Sequence, residues 1–81
     1  MIRGQLEKNL VALDCVSGGI DENGMFSIRD KETLVAYSEI STTKLNHIIT
    51  HQAAYDIKDP IRRKALLHIL QEYADTPLEK R

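Results

Sequence analysis

The chain has 81 residues and a formal net charge of −1, with 42% hydrophobic and 28% charged residues, which excludes a wholly disordered protein and is typical of one small soluble domain. No apolar run approaches the ~20 residues of a membrane-spanning helix and no signal-peptide core is present, so we expect a cytoplasmic protein without membrane contact. The near-neutral charge makes nucleic-acid binding less favoured, and the single Cys15 excludes an internal disulfide or a thiolate metal site.

The N-terminal segment predicts a helix. Its apolar residues fall within about 80° of one another on a helical wheel. They are Ile2, Leu6, Leu10 and Leu13. The alternation of Val11, Leu13 and Cys15 leaves open an earlier start of the first strand, and we place the change near Asp14.

A hairpin and two strands are expected next. The pair Asn23-Gly24 is a frequent source of the positive φ values that a tight turn needs. Apolar and polar residues alternate in 25–29, and residues 34–40 are rich in strand-forming types, so residues 30–33 would join two strands. The alternative is a helix over 31–38 that is capped by Asp30.

Two helices are predicted in the C-terminal half. The first follows the hydroxyl caps at 41–43 and ends near Asp56. Its apolar stripe consists of Leu45, Ile48, Ile49, Ala53 and Tyr55. The second begins at Asp59-Pro60, an N-cap followed by a proline in the first helical position, and ends near Ala74. Residues 76–81 are expected to form a frayed tail.

The last helix is apolar over more than half of its circumference, from Ile61 to Ala74. A chain of this mass should keep roughly 4,900 Å² of surface when folded, which leaves little area for a stable core. We therefore predict a homo-oligomer in which the broad apolar side of this helix meets a second copy. The alternative is a monomer whose N-terminal segment covers that side.

These elements predict an α+β fold in a single small domain, with an N-terminal helix, a small antiparallel β-hairpin or three-stranded meander, and a C-terminal helical pair. We predict a small non-enzymatic regulatory or adaptor protein that acts through protein–protein binding. The candidate contact residues are Leu66, Leu70 and Tyr73, with Arg62 and Arg63 as a charged rim. The basic patch at 58–64 has a simpler reading as a solvated surface neutralised by nearby acidic residues.

The alternative function is DNA binding by a degenerate helix-turn-helix over residues 31–55. On a recognition helix, five side chains would face the major groove. They are Thr42, Thr43, Lys44, Asn46 and His47. Glu39 stands where such a turn usually has glycine and Ser38 where an apolar residue is expected, which weakens the match.

Metal binding, cofactor binding and catalysis are all disfavoured. His47 and His51 would share one side of a helix, but two ligands do not make a site and Lys44 would repel a cation. Residues 21–32 resemble a calcium loop in spacing, although Met25 supplies no oxygen and Phe26 replaces the required glycine.

Cys15 shows no partner spacing that indicates a nucleophile, and we interpret it as a small buried residue. We predict no catalytic residues, no metal and no cofactor.

Overall fold

The computed structural model describes residues 1–81 and is an α+β fold with a four-stranded sheet. The helices are α1 (Arg3–Ala12), α2 (Gln52–Tyr55) and α3 (Pro60–Asp75), and a 3-10 turn follows at Leu78–Lys80. The strands are β1 (Cys15–Ile20), β2 (Met25–Asp30), β3 (Ala36–Ser41) and β4 (Ile48–Thr50). The predicted class and the N-terminal helix are confirmed, but the sheet has one strand more than the predicted meander.

The strands follow one another in the order β1-β2-β3-β4, and every neighbouring pair is antiparallel. The predicted turn between β1 and β2 is confirmed, because Gly24 has a φ of 74°. Asp21 fixes this turn through its Oδ1 atom, which accepts hydrogen bonds from the amides of Asn23 at 2.8 Å and Met25 at 3.0 Å. The calcium-like spacing therefore belongs to a hairpin, and not to a metal-binding loop.

Asp30 caps the turn between β2 and β3, and does not start a helix. Its Oδ1 atom accepts hydrogen bonds from the amides of Glu32 and Thr33, both at 2.9 Å. Leu34 then takes a positive φ of 61°, which ends any helical path. The strand interpretation is confirmed, with β3 beginning at Ala36.

The predicted long helix that ends near Asp56 is wrong. Residues 42–47 form a loop, β4 pairs with β3, and only the four residues of α2 are helical. The β-branched run of Ile48 to Thr50 favours a strand, and Asn46 has a φ of 58°, which a continuing helix does not allow. The spacing of the apolar residues is compatible with a helix, but residues 48–50 pair with β3 and therefore form a strand. The predicted C-terminal helical pair therefore shrinks to a single turn followed by α3.

Helices α1 and α3 cover one face of the sheet and enclose the core. Phe26 and Ile28 point towards the helices, whereas Ser27 and Arg29 point to the opposite face. The ring of Phe26 meets the ring of Tyr73 edge to face, with centroids 5.8 Å apart. The remaining core residues include Leu6, Leu10, Cys15, Ile40, Ala54, Leu66, Leu70 and Ala74.

The folded chain exposes 5035 Å² of surface, close to the ~4,900 Å² expected for a monomer of its mass. The core is therefore enclosed without a second copy. No helix combines the length and the apolar character needed to cross a membrane.

The predicted frayed tail is tied back onto the domain. Arg81 donates hydrogen bonds to the carbonyl oxygens of Ser41 at 2.7 Å, Ala74 at 2.8 Å and Thr76 at 3.0 Å. These bonds join the C-terminal end of α3 to the end of β3.

Candidate functional site

The densest polar cluster surrounds the side chain of Arg62, in the first turn of α3. Its Nε donates to the carbonyl oxygen of Leu13 at 2.7 Å, and its Nη2 lies 3.1 Å from Oδ2 of Asp30. Its Nη1 reaches the hydroxyl of Tyr37 at 3.4 Å, and Nη2 lies 3.6 Å from the sulfur of Cys15. Arg62 thus connects α3 to the end of α1 and to the strands β1, β2 and β3.

The protonation states in this cluster are fixed at neutral pH. The backbone amides of Thr33 and Glu32, followed by the Tyr37 hydroxyl and the Arg62 guanidinium, hold the pKa of Asp30 well below its usual range. Burial raises the pKa of the Cys15 thiol and that of the Tyr37 phenol. The cluster therefore contains one carboxylate, one guanidinium, a neutral thiol and a neutral phenol. None of its groups is poised to exchange a proton near pH 7, so the arrangement suits a structural clamp better than acid–base chemistry.

The three predicted apolar contact residues face the interior of their own chain. Leu66, Leu70 and Tyr73 are 0%, 1% and 3% exposed. Their stripe of α3 packs against the inner face of the sheet and against α1, which the sequence could not place. The prediction that these side chains contact a partner is wrong, because the folded chain itself covers them.

The predicted charged rim is also turned inwards. Arg62 belongs to the cluster with Asp30, and Arg63 donates from Nη1 to the carbonyl oxygen of Ile57 at 2.8 Å. Of the four basic residues in the patch at 58–64, only Lys58 and Lys64 are exposed. The two arginines hold the start of α3 in place and do not present a cationic surface.

The helix-turn-helix predicted for 31–55 is wrong, because this stretch contains the strands β3 and β4. Its five candidate residues lie in the loop 42–47, which is bound to other parts of the domain. Thr42 donates from its hydroxyl to the carbonyl oxygen of Gly24 at 2.6 Å. The amide of Asn46 donates to the carbonyl oxygen of Ala74 at 2.9 Å. Thr43, Lys44 and His47 are exposed on the same loop, without a recognition helix to carry them.

The two histidines considered as metal ligands have separate surroundings. His51 lies with its Nε2 3.0 Å from Oε2 of Glu39, which connects the end of β4 to β3. His47 lines a hollow together with Lys44 and Met25. No group of three or more histidine, cysteine, aspartate or glutamate side chains is placed to hold a metal ion.

A second apolar face of α3 remains uncovered, and we call Ile61, Ala65 and Ile69 the outer row. These residues are spaced four apart, so they follow one another along one side of the helix. Ile61 is 80% exposed, the highest value among the large apolar side chains. Ala65 and Ile69 are half-buried.

The outer row borders a shallow hollow of about 260 Å³ between α1 and α3. Its lining is Asn9, Ala12, Leu13, Ala65 and Ile69. Four of these five residues are hydrophobic, and the exposed Ile61 stands one helical turn before Ala65 on the same side of α3.

The outer row belongs to the apolar arc that the sequence predicts for the last helix, but the predicted contact residues lie on the other half of that arc. The signal that divides the arc is Arg62, which lies between the outer row and the buried stripe on a helical wheel. The contributions of Ala12, Leu13, Asp30 and Tyr37 were missed, since each depends on contacts between distant parts of the chain.

The chain is thus a two-layer α+β domain, in which an antiparallel four-stranded meander carries two helices on one face and an apolar surface between them. No protein-family model, no curated protein and no solved structure shows a significant match to it.

Proposed function

We propose that this chain is a small non-enzymatic regulatory protein that binds another protein through the outer row and the adjoining hollow. The observation that carries the proposal is the position of Ile61, which is 80% exposed and stands one helical turn before Ala65, a residue that lines the apolar hollow. Isolated apolar side chains on a surface are common, but a continuous apolar patch marks an interaction site in soluble proteins.

The uncovered face of the sheet is less suited to apolar docking. Its polar side chains are paired with one another: Arg29 donates from Nε to the hydroxyl of Ser27 at 3.1 Å, and His51 pairs with Glu39. Ile49 is the main apolar residue there and is 47% exposed. One face of an antiparallel sheet is commonly solvated, so this surface requires no partner.

The chemistry of the Arg62 cluster supports a non-enzymatic role. Its thiol is fully buried with a raised pKa, which leaves little thiolate for nucleophilic attack. Its carboxylate is committed to backbone amides and to Arg62. The groups that could act on a substrate are therefore used to hold the fold together.

The experiment compares Ile61→Asp with Ile49→Asp, two changes of the same kind on opposite surfaces. The immobilised wild-type chain and both variants are exposed to extract of the source cells, and bound proteins are quantified by mass spectrometry. We expect at least one protein to be retained by the wild type and by Ile49→Asp, and to fall about ten-fold or more with Ile61→Asp. Circular dichroism checks that both variants are folded. Equal retention of every bound protein by the two variants would contradict the proposal.

No structural observation favours the DNA-binding alternative, and it stays a prediction. Its five residues form part of a loop in a domain of net charge −1. A basic surface that follows a phosphate backbone would be needed to support it.

A further inference from the structure

The sequence along the outer row is symmetric about Ala65. Ile61 and Ile69 stand four residues on either side of it, and Lys58 and Glu72 stand seven residues on either side with opposite charges. A two-fold axis between antiparallel helices brings residues at equal distances before and after the central one together. This pattern is therefore complementary to a second copy of itself.

Ile61, Ala65, Ile69 and Glu72 share one face of α3. At about 100° per residue, Ile61, Ile69 and Glu72 lie within about 40° of Ala65 on the helical wheel. Leu66, the nearest residue of the buried stripe in sequence, is about 100° away. Lys58 precedes the N-cap Asp59 and is exposed, as is Glu72. Ile61 is exposed as well, whereas Ala65 and Ile69 at the centre are half-buried.

We propose that the occupant of the outer row is a second copy of this chain, related by a two-fold axis that passes beside Ala65. This inference rests on the proposed function, since it identifies the protein that binds the same surface. In this arrangement Ile61 of each copy packs against Ile69 of the other. The small Ala65 at the centre allows the two helices to approach to roughly 8–10 Å between their axes.

The hollow beside the outer row receives the most protruding side chain of the other copy. Ile69 lines this hollow together with Leu13 and Ala12. Because Ile61 of the second copy lies opposite Ile69, its exposed side chain enters the hollow. The same contact occurs twice across the axis, which is the isologous form of a dimer.

The charges around the outer row suit this pairing. Lys58 of each copy lies opposite Glu72 of the other, which gives two attractive pairs at the two ends of the contact. Arg62 would lie opposite His68, but its guanidinium is already held by Asp30 at 3.1 Å. The arrangement therefore places no free arginine against the histidine of the second copy.

The contact is small. One helical row and the edge of α1 cover less than the ~800 Å² per partner of a standard stable interface, so we expect a dissociation constant in the micromolar range. A dimer of this strength forms and dissociates within the concentration range of sedimentation experiments.

A charge-exchange cycle tests the pairing. Sedimentation equilibrium is measured at low salt for the wild type, Lys58→Glu, Glu72→Lys and the double variant. Each single reversal places like charges at both ends of the contact, and we expect the dissociation constant to rise about five-fold or more. The double reversal restores opposite charges and should return the constant to within about two-fold of the wild type.

Two further variants test the apolar contact. Ile61→Asp should raise the dissociation constant by about ten-fold or more, because it places a carboxylate in the apolar hollow. Ile49→Asp, on the far face of the sheet, should leave it unchanged. A wild type that stays monomeric to millimolar concentration would overturn the inference, as would a double reversal that fails to restore dimerisation.

The inference and the proposed function fail separately. If the wild type is monomeric but a protein from the extract is retained in a manner that depends on Ile61, the outer row binds a different partner and the dimer is refuted. If the charge cycle succeeds and nothing else is retained, the dimer stands and binding of a different protein is refuted.

Discussion

Arg62 joins the start of α3 to the end of β2 through an ion pair with Asp30, in which Nη2 and Oδ2 lie 3.1 Å apart. The same carboxylate accepts two backbone amides of the turn between β2 and β3 through its other oxygen. One side chain thus fixes a turn and the position of a helix. Two residues 32 positions apart in sequence pair in this way only because the fold brings the start of α3 to the end of β2.

Asp30 should make the stability of the chain sensitive to acid. Its pKa is well below its usual range in the folded chain and near 3.9 when unfolded, so its stabilising contribution is complete above about pH 5, begins to decline as the pH falls past the unfolded value, and is lost as the pH falls through the folded value. We expect Asp30→Asn to lower the free energy of unfolding at pH 7 and to flatten its decline between about pH 5 and pH 3.

Urea titrations followed by circular dichroism at several pH values measure this effect. Glu22→Gln is the matched control, because Glu22 is exposed in the β1–β2 turn and makes no side-chain hydrogen bond. An unchanged pH slope in Asp30→Asn, equal to that of the control, would refute the assignment.

Truncation should destabilise the chain strongly on the buried side of α3 and hardly at all on its exposed side. Leu66 is fully buried, and Leu66→Ala should lower the free energy of unfolding by about 2–5 kcal/mol through lost burial and a residual cavity. Ile61 is 80% exposed, and Ile61→Ala should change it by less than about 0.5 kcal/mol in the monomer. Urea denaturation at low micromolar concentration measures both, and comparable losses would contradict the observed orientation of α3.

The local signals predicted the parts of the fold that depend on neighbouring residues. Asp59 and Pro60 marked the start of α3, and the Asp59 side chain accepts from the amide of Ile61 at 2.9 Å as an N-cap should. Asn23-Gly24 likewise marked the hairpin. In both cases the cause lies within a few residues, so the sequence alone was sufficient.

The wrong predictions concern segments whose structure depends on contacts with residues that are distant in sequence. Ile48 and Ile49 fit a helical stripe as well as a strand, and their pairing with Ile40 and Glu39 decided the outcome. The same holds for the candidate site. Periodicity showed that α3 is apolar over a wide arc, but only the positions of the sheet and α1 determine which part of that arc stays exposed.

Cys15 should react slowly in the folded chain. Burial raises the pKa of its thiol and leaves no exposed surface, so both the thiolate fraction and access are reduced. We expect modification by a disulfide reagent at pH 8 to be about 100-fold or more slower in buffer than in strong denaturant, because reaction requires opening of the domain. The rate is measured from the absorbance of the thiolate that the reagent releases. Similar rates in buffer and in denaturant would show that the Cys15 thiol is accessible in the folded chain.

Arg81 should contribute to stability although it is the last residue of this chain. Its guanidinium donates to three carbonyl oxygens, and its central carbon lies 4.9 Å from the centroid of the Tyr73 ring. Removing these charged hydrogen bonds and the cation–π contact with Arg81→Ala should lower the free energy of unfolding by about 1–2 kcal/mol.

In a domain of this size, each kcal/mol of lost stability lowers the melting temperature by roughly 4–8 °C, and differential scanning calorimetry resolves a change of this size. Lys80→Ala is the matched control, because Lys80 is exposed and its side chain makes no hydrogen bond in the fold. Equal melting temperatures for the two variants would mean that the bonds of Arg81 contribute nothing. A selective loss in Arg81→Ala would show that this side chain helps to fix the C-terminal end of α3 to β3.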